Sequence, residues 1–147
     1  MINRSRRPGP VPRTWLGLTL VLVAVLPGCR EASGESGPTP EVLRGREVYQ
    51  EQFCGTCHTL TSAETAGMFG PTHNGMAKIA DDRLLDPGYA GSAETARAYI
   101  LESIVEPAAF RAPGFERTRF VMPSYQHLPE EDIDALVEML MRERVPE

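Results

Sequence analysis

Cys54-Gly55-Thr56-Cys57-His58 is where nucleophilic and metal-ligating side chains fall at a spacing that chemistry can use. Two thiols three residues apart on a helical turn can reach the two vinyl groups on one edge of a porphyrin. The histidine that follows is then placed under the iron, where imidazole is a good axial ligand. Two other chemistries use such a pair. A structural zinc site needs four ligands, usually from two pairs of this kind, and the remaining cysteine, Cys29, stands alone. A thioredoxin-like redox pair expects a strand–helix setting, whereas the flanks here read as helix and loop. Covalent attachment of one haem c is the expected chemistry.

Cys29 belongs to a different context. Arg4, Arg6, Arg7 and Arg13 lead into an apolar run from Trp15 to Leu26, closed by Leu26-Pro27-Gly28-Cys29. The run is shorter than the ~20 residues that a membrane-spanning helix needs. With its basic head it reads as a signal peptide. Leu-Pro-Gly-Cys resembles a bacterial lipoprotein box, which implies cleavage before Cys29 and a lipid on its sulfur, so that acyl chains tie the protein to a membrane. The alternative is an ordinary secretory signal with Cys29 incidental. One lipidated thiol and two haem-bearing thiols also reconcile an odd cysteine count with an oxidising compartment, since none is left free.

The chain carries 15 basic and 20 acidic residues. Four of the arginines lie in the segment that would be removed, so the exported part is the more acidic. Such a surface repels nucleic acid. It suits partners with basic docking faces, or simply keeps the domain soluble.

The elements that must position the Cys-x-x-Cys-His run follow from punctuation and period. Residues 1–28 form the expected signal. Residues 29–40, rich in Gly, Ser, Pro and Glu, form a lipid-anchored flexible linker. Residues 41–147 form the folded domain, large enough for one small core that a covalent cofactor would enlarge. A first helix is predicted from about Glu41 to Phe53, with Thr39 as cap and Pro40 at its first position. Its stripe is Val42, Gly45, Val48, Tyr49 and Phe53. A second is predicted from about Ala93 to Glu106, capped by Ser92 and stopped by Pro107, with Ala96, Tyr99, Ile100, Ser103 and Ile104 on one face. A third is predicted from about Pro129 to Arg144, opening on Glu130, Glu131 and Asp132, which suit the positive helix end. Ile133, Leu136, Val137, Leu140 and Met141 form its stripe. No segment shows sustained strand alternation. The connecting loops are long for so small a domain, and long loops in a compact domain are usually functional.

Taken together, residues 44–143 resemble the class I cytochromes c. Gly45-Arg46-Glu47-Val48-Tyr49 looks like that family's Gly-x-x-x-aromatic helix, Gly70-Pro71-Thr72-His73-Asn74-Gly75 like its Gly-Pro-x-x-x-Gly loop, and Leu136-Val137-Glu138-Met139-Leu140 like its last helix. The resemblance implies an all-α fold of three main helices with long loops around one covalent haem. It implies that the Pro71 carbonyl accepts a hydrogen bond from the proximal His58, as outer partners of metal ligands do. It also implies a close crossing of the first and last helices at a glycine. By its order in the chain and the Met122-Pro123 pair, Met122 matches the distal ligand; His127 is the rival donor. His73 stands where the family usually has an apolar residue. Arg111, Arg117, Arg119, Tyr89, Tyr99 and Tyr125 are possible propionate partners.

The function so implied is one-electron transfer, not catalysis, because His58 and Met122 fill both axial positions and leave none for a substrate. The expected donor is a membrane quinol-oxidising complex, and the expected acceptor a terminal oxidase or reaction centre. The protein is expected in the cell envelope, on the extracytoplasmic face of a membrane, and not on nucleic acid. A second reading is a fixed subunit of a larger respiratory or photosynthetic complex, suggested by resemblance to the monohaem lipoprotein subunit of alternative complex III. A third, a haem peroxidase or gas sensor, requires an open or labile sixth position.

Overall fold

Pro40 fixes φ and lacks an amide hydrogen, which suits a helical position whose N–H would have no partner, and α1 (Pro40–Glu51) starts there. The computed structural model describes Gly9 and residues 37–143; Cys29 and the signal segment around it lie outside the described residues. Thr39 precedes the helix as expected, but its hydroxyl takes none of the free amides and is buried without a partner. Val42, Gly45, Val48 and Tyr49 form the buried face.

Phe53 departs from the expected stripe. The helix ends before it, and Phe53 adopts a left-handed conformation with φ 55° and is 76% exposed. This kink lets the chain leave α1 and enter a 3₁₀ turn, Cys54–Thr56. Two short strands follow, β1 (Thr59–Leu60) and β2 (Thr65–Ala66), paired antiparallel with Thr59 opposite Ala66. They are too short for alternation to show in the sequence.

Helix α2 (Met76–Leu84) was not anticipated. It begins at Gly75, whose φ of 69° no capping side chain announces, and it buries only Met76 and Ala80. Helix α3 (Ala96–Val105) starts three residues later than Ser92 would place it. Thr95 is the cap, its hydroxyl oxygen accepting from the Ala98 amide at 3.2 Å. Ser92 is drawn away because its amide and hydroxyl both donate to the Glu102 carboxylate, at 2.6 and 2.9 Å.

Helix α4 (Glu130–Met141) closes the domain. Its buried face is wider than one stripe and includes Ala135 and Met139, which periodicity had left out, while Met141 is only half-buried. The reason is that α4 packs against α1 on one side and α3 on the other. Gly45 meets α4 backbone to backbone: a Cβ there would stand 2.8 Å from that of Met139. A two-pronged ion pair bolts the same crossing, Arg44 Nε donating to Asp132 Oδ1 at 2.7 Å and Nη2 to Oδ2 at 2.9 Å. Tyr49, Ile100, Met139, Val48 and Val137 are almost fully buried between these helices, each contributing about 1.5–3 kcal/mol through area removed from water. The architecture is the expected all-α one, with four helices and little strand.

Candidate functional site

The 3₁₀ turn after Phe53 brings the Cys57 and His58 amides back onto the Cys54 carbonyl, at 3.2 and 3.1 Å. Both thiols and the imidazole thereby reach one cleft. The segment Gly67–Asn74 is then laced over this turn. The Gly70 amide donates to the Cys57 carbonyl and the His73 amide to the Thr59 carbonyl, each at 2.9 Å. The Thr65 hydroxyl donates to the His58 carbonyl at 3.0 Å. The path is so close that a Cβ on Gly67 would lie 2.5 Å from the Cys57 carbonyl carbon, and one on Gly70 2.5 Å from His58 Cε1.

His58 is the one buried polar side chain of the described core, 6% exposed. Its Nδ1–H donates to the Pro71 carbonyl at 2.7 Å. A carbonyl only accepts, so this bond fixes the proton on Nδ1 and leaves Nε2 with a free lone pair. Burial holds the imidazole below its usual pKa, partly opposed by the Pro71 carbonyl, and a neutral ring is what metal ligation requires. Burial pushes the Cys54 thiol up to about 11, the reverse of the lowered value that activates a thioredoxin-like pair.

Met122 also lines the cleft and is half-buried. Its loop is pinned to the end of α3: the Ser124 hydroxyl donates to the Val105 carbonyl at 2.6 Å and the Tyr125 amide to the Ile104 carbonyl at 3.1 Å. Met76 also lines the cleft but belongs to the packed core, 8% exposed. Met139 lies in the helix crossing, and His127 is exposed and off the cleft.

The cleft encloses about 1390 Å³ with its open mouth. Ile79, Ile100, Ile104, Leu136 and Leu140 give it apolar walls from three helices. Among the described residues no cluster of three or more His, Cys, Asp or Glu could hold a metal ion unaided. Two thiols, an imidazole and a thioether around an apolar slot therefore suit a flat macrocycle that brings its own equatorial ligands, and offer nothing to a hard cation that wants oxygen. Haem c fits these residues.

Of the suggested propionate partners, Arg111, Tyr99 and Tyr125 line the cleft, whereas Arg117, Arg119 and Tyr89 do not; the Tyr89 hydroxyl donates instead to Glu102. Arg83 lines it unannounced. It sits on α2, and the signal that could have found it is the helical spacing of Met76, Ile79, Ala80 and Arg83. His73 lies flat against His58, ring centroids 3.9 Å apart and planes at 16°.

No curated protein matches the chain closely enough to serve as a relative. A family model does: the one described as "Cytochrome c" matches residues 42–142.

Proposed function

Because the chain belongs to the cytochrome c family, which carries electrons on covalent haem c, we propose an exported, membrane-anchored one-electron carrier with His58 and Met122 as axial ligands. The observation that carries this reading is the convergence of Cys54, Cys57, His58 and Met122 on one apolar cleft, with His58 Nδ1 tied to Pro71. Haem c, when bound, supplies an iron that exchanges one electron without making or breaking bonds to a substrate. The chain's residues do the rest. Cys54 and Cys57 hold the macrocycle covalently, the Pro71 carbonyl keeps His58 neutral and oriented, the isoleucine and leucine walls exclude water, and Met122 offers a soft thioether that favours the reduced state.

The lipid anchor at Cys29, the signal at residues 1–28, the linker at 29–40 and an extracytoplasmic location complete the proposal. They rest on the lipoprotein-like box and the polar tether. No helix among the described residues is long and apolar enough to cross a membrane. With both axial positions taken by protein side chains, electron transfer is the activity and turnover of a substrate is not. A quinol-oxidising complex as donor and a terminal oxidase or reaction centre as acceptor are the partners this reading names.

One observation favours a second reading, the fixed subunit of a larger membrane complex. Met68 is 84% exposed and Val121 63%, and beside them the rings of Phe69 and Phe120, which line the cleft, lie with centroids 4.4 Å apart. Exposed apolar side chains gathered in one place mark an interaction site.

The deciding experiment is a redox titration of the protein isolated from membranes, followed by its absorption spectrum. A single reversible one-electron wave with low-spin iron in both states supports the carrier. High-spin iron that binds added ligands would support a peroxidase or sensor instead. Co-migration with other redox proteins through mild detergent would support the fixed subunit.

A further inference from the structure

The Pro71 carbonyl holds His58 at a single atom. A lone hydrogen bond tolerates a broad range of angles at its acceptor, so it tethers the ring without fixing the ring plane. A second contact does that. The His73 ring is parallel to the His58 ring within 16° at a centroid distance of 3.9 Å. His73 is itself held from two sides. Its amide donates to the Thr59 carbonyl at 2.9 Å, next in sequence to His58. Its Nδ1 shares a hydrogen bond of 3.2 Å with the Tyr49 hydroxyl, whose ring stands edge-on to it at 70°. Tyr49 in turn is 1% exposed in the wall of α1. A rigid column thus runs from α1 through Tyr49 and His73 to His58.

We propose that His73 is a positioning residue that sets the plane of the His58 imidazole, with the Tyr49 hydroxyl holding His73 in register. This rests on His58 being an axial ligand. The polar pair is self-consistent: a tyrosine hydroxyl buried on α1 needs a partner, and an imidazole can both meet it and present a flat face to His58. An aliphatic side chain at residue 73 could fill the same volume but offers no plane to lie against.

In the ferric state the plane of an axial imidazole, together with the orientation of the distal ligand, decides how unpaired spin is distributed over the macrocycle, so with Met122 unchanged the haem-methyl proton shifts report a change in that plane. A loss of stability alone would not move that readout, and the return expected in H73F separates the ring plane from general repacking. The test compares the ferric proton spectra of the full-length holoprotein and of H73L, H73F and Y49F. The proposal expects H73L to redistribute the four methyl shifts, Y49F to move them the same way by a smaller amount, and H73F, which restores a flat ring, to return them toward wild type. A methyl pattern in H73L matching wild type overturns it. If H73L yields no folded holoprotein, Y49F decides alone: a changed pattern supports the proposal and an unchanged one overturns it. The wild-type spectrum guards the premise. If it lacks the strongly shifted ring protons of a coordinated imidazole, the ligand reading fails and this proposal with it, whereas their presence beside an unmoved variant pattern sinks the proposal alone.

Discussion

Gly45 and Ala135 touch through their backbones: a Cβ built on Gly45 would lie 2.1 Å from the Ala135 carbonyl oxygen. Neither partner is a flexible side chain, so the only relief is to move α1 away from α4. Gly45→Ala is expected to destabilise the holoprotein by about 1–3 kcal/mol, the range for overpacked sites. The midpoint of denaturant unfolding measures it. An unchanged midpoint would mean that the two helices separate freely and that the crossing does not hold the domain together.

Met122→Ala is expected to leave the iron with an open position, lose low-spin character and bind added imidazole. His127→Ala should change neither, because His127 is off the cleft and exposed. The absorption spectra of the two variants check this. Low-spin iron retained in the first and lost in the second would move the ligand from Met122 to His127.

Denaturing acid–acetone extraction should leave haem on the wild-type polypeptide. The double variant C54S/C57S should lose all of it to the solvent. Haem extracted from the wild type would overturn covalent attachment through Cys54 and Cys57.

The Arg44 guanidinium, by hydrogen bonding, holds the Asp132 carboxyl below its usual pKa. A depressed folded pKa adds stability above the ordinary carboxylate value, and that stability is lost as pH falls through the folded one. Asp132→Asn is therefore expected to be less stable than wild type at neutral pH. The gap should close on acidification. Unfolding midpoints across acidic to neutral pH would show it, and a gap independent of pH would assign the loss to packing.

Cys29→Ser, if the signal is still cleaved, should release the protein from membranes with its haem spectrum intact. Fractionation and the mass of the mature amino terminus read this out. A mature protein without acyl mass would remove the anchor.

Much of the site was legible because it is local. The spacing of Cys54, Cys57 and His58 is visible within five residues, and the Gly70-Pro71 pair lies close enough in sequence to be matched as a unit. Met122, which lines the same cleft, stands out in the sequence through its order and its proline. What escaped depends on the third dimension. Met139 looks like one more apolar residue until α4 is seen to pack on two sides. Phe53 continues the period of α1, but the chain must turn there to present the thiols. Arg83 faces the cleft only because α2 forms, and α2 buries too little to leave a strong pattern. His73 gave a departure from the family and no hint of its role, since stacking on His58 depends on how the 67–74 loop folds back.

The bolt between Arg44 and Asp132 joins residues 88 apart in the chain, and this sets a timetable. Local turns can form as the polypeptide emerges, but α1 cannot complete its main packing until α4 arrives. At about 5–20 residues per second, the first helix waits on the order of ten seconds for the last. During that interval the turn that bears Cys54 and Cys57 is part of an open chain, and the Cys54 thiol ionises near the ordinary value of ~8.5 rather than at about 11 as in the closed core. The distance between the two ends of the domain is therefore also a clock, and it holds the turn that bears Cys54 and Cys57 open until α4 docks.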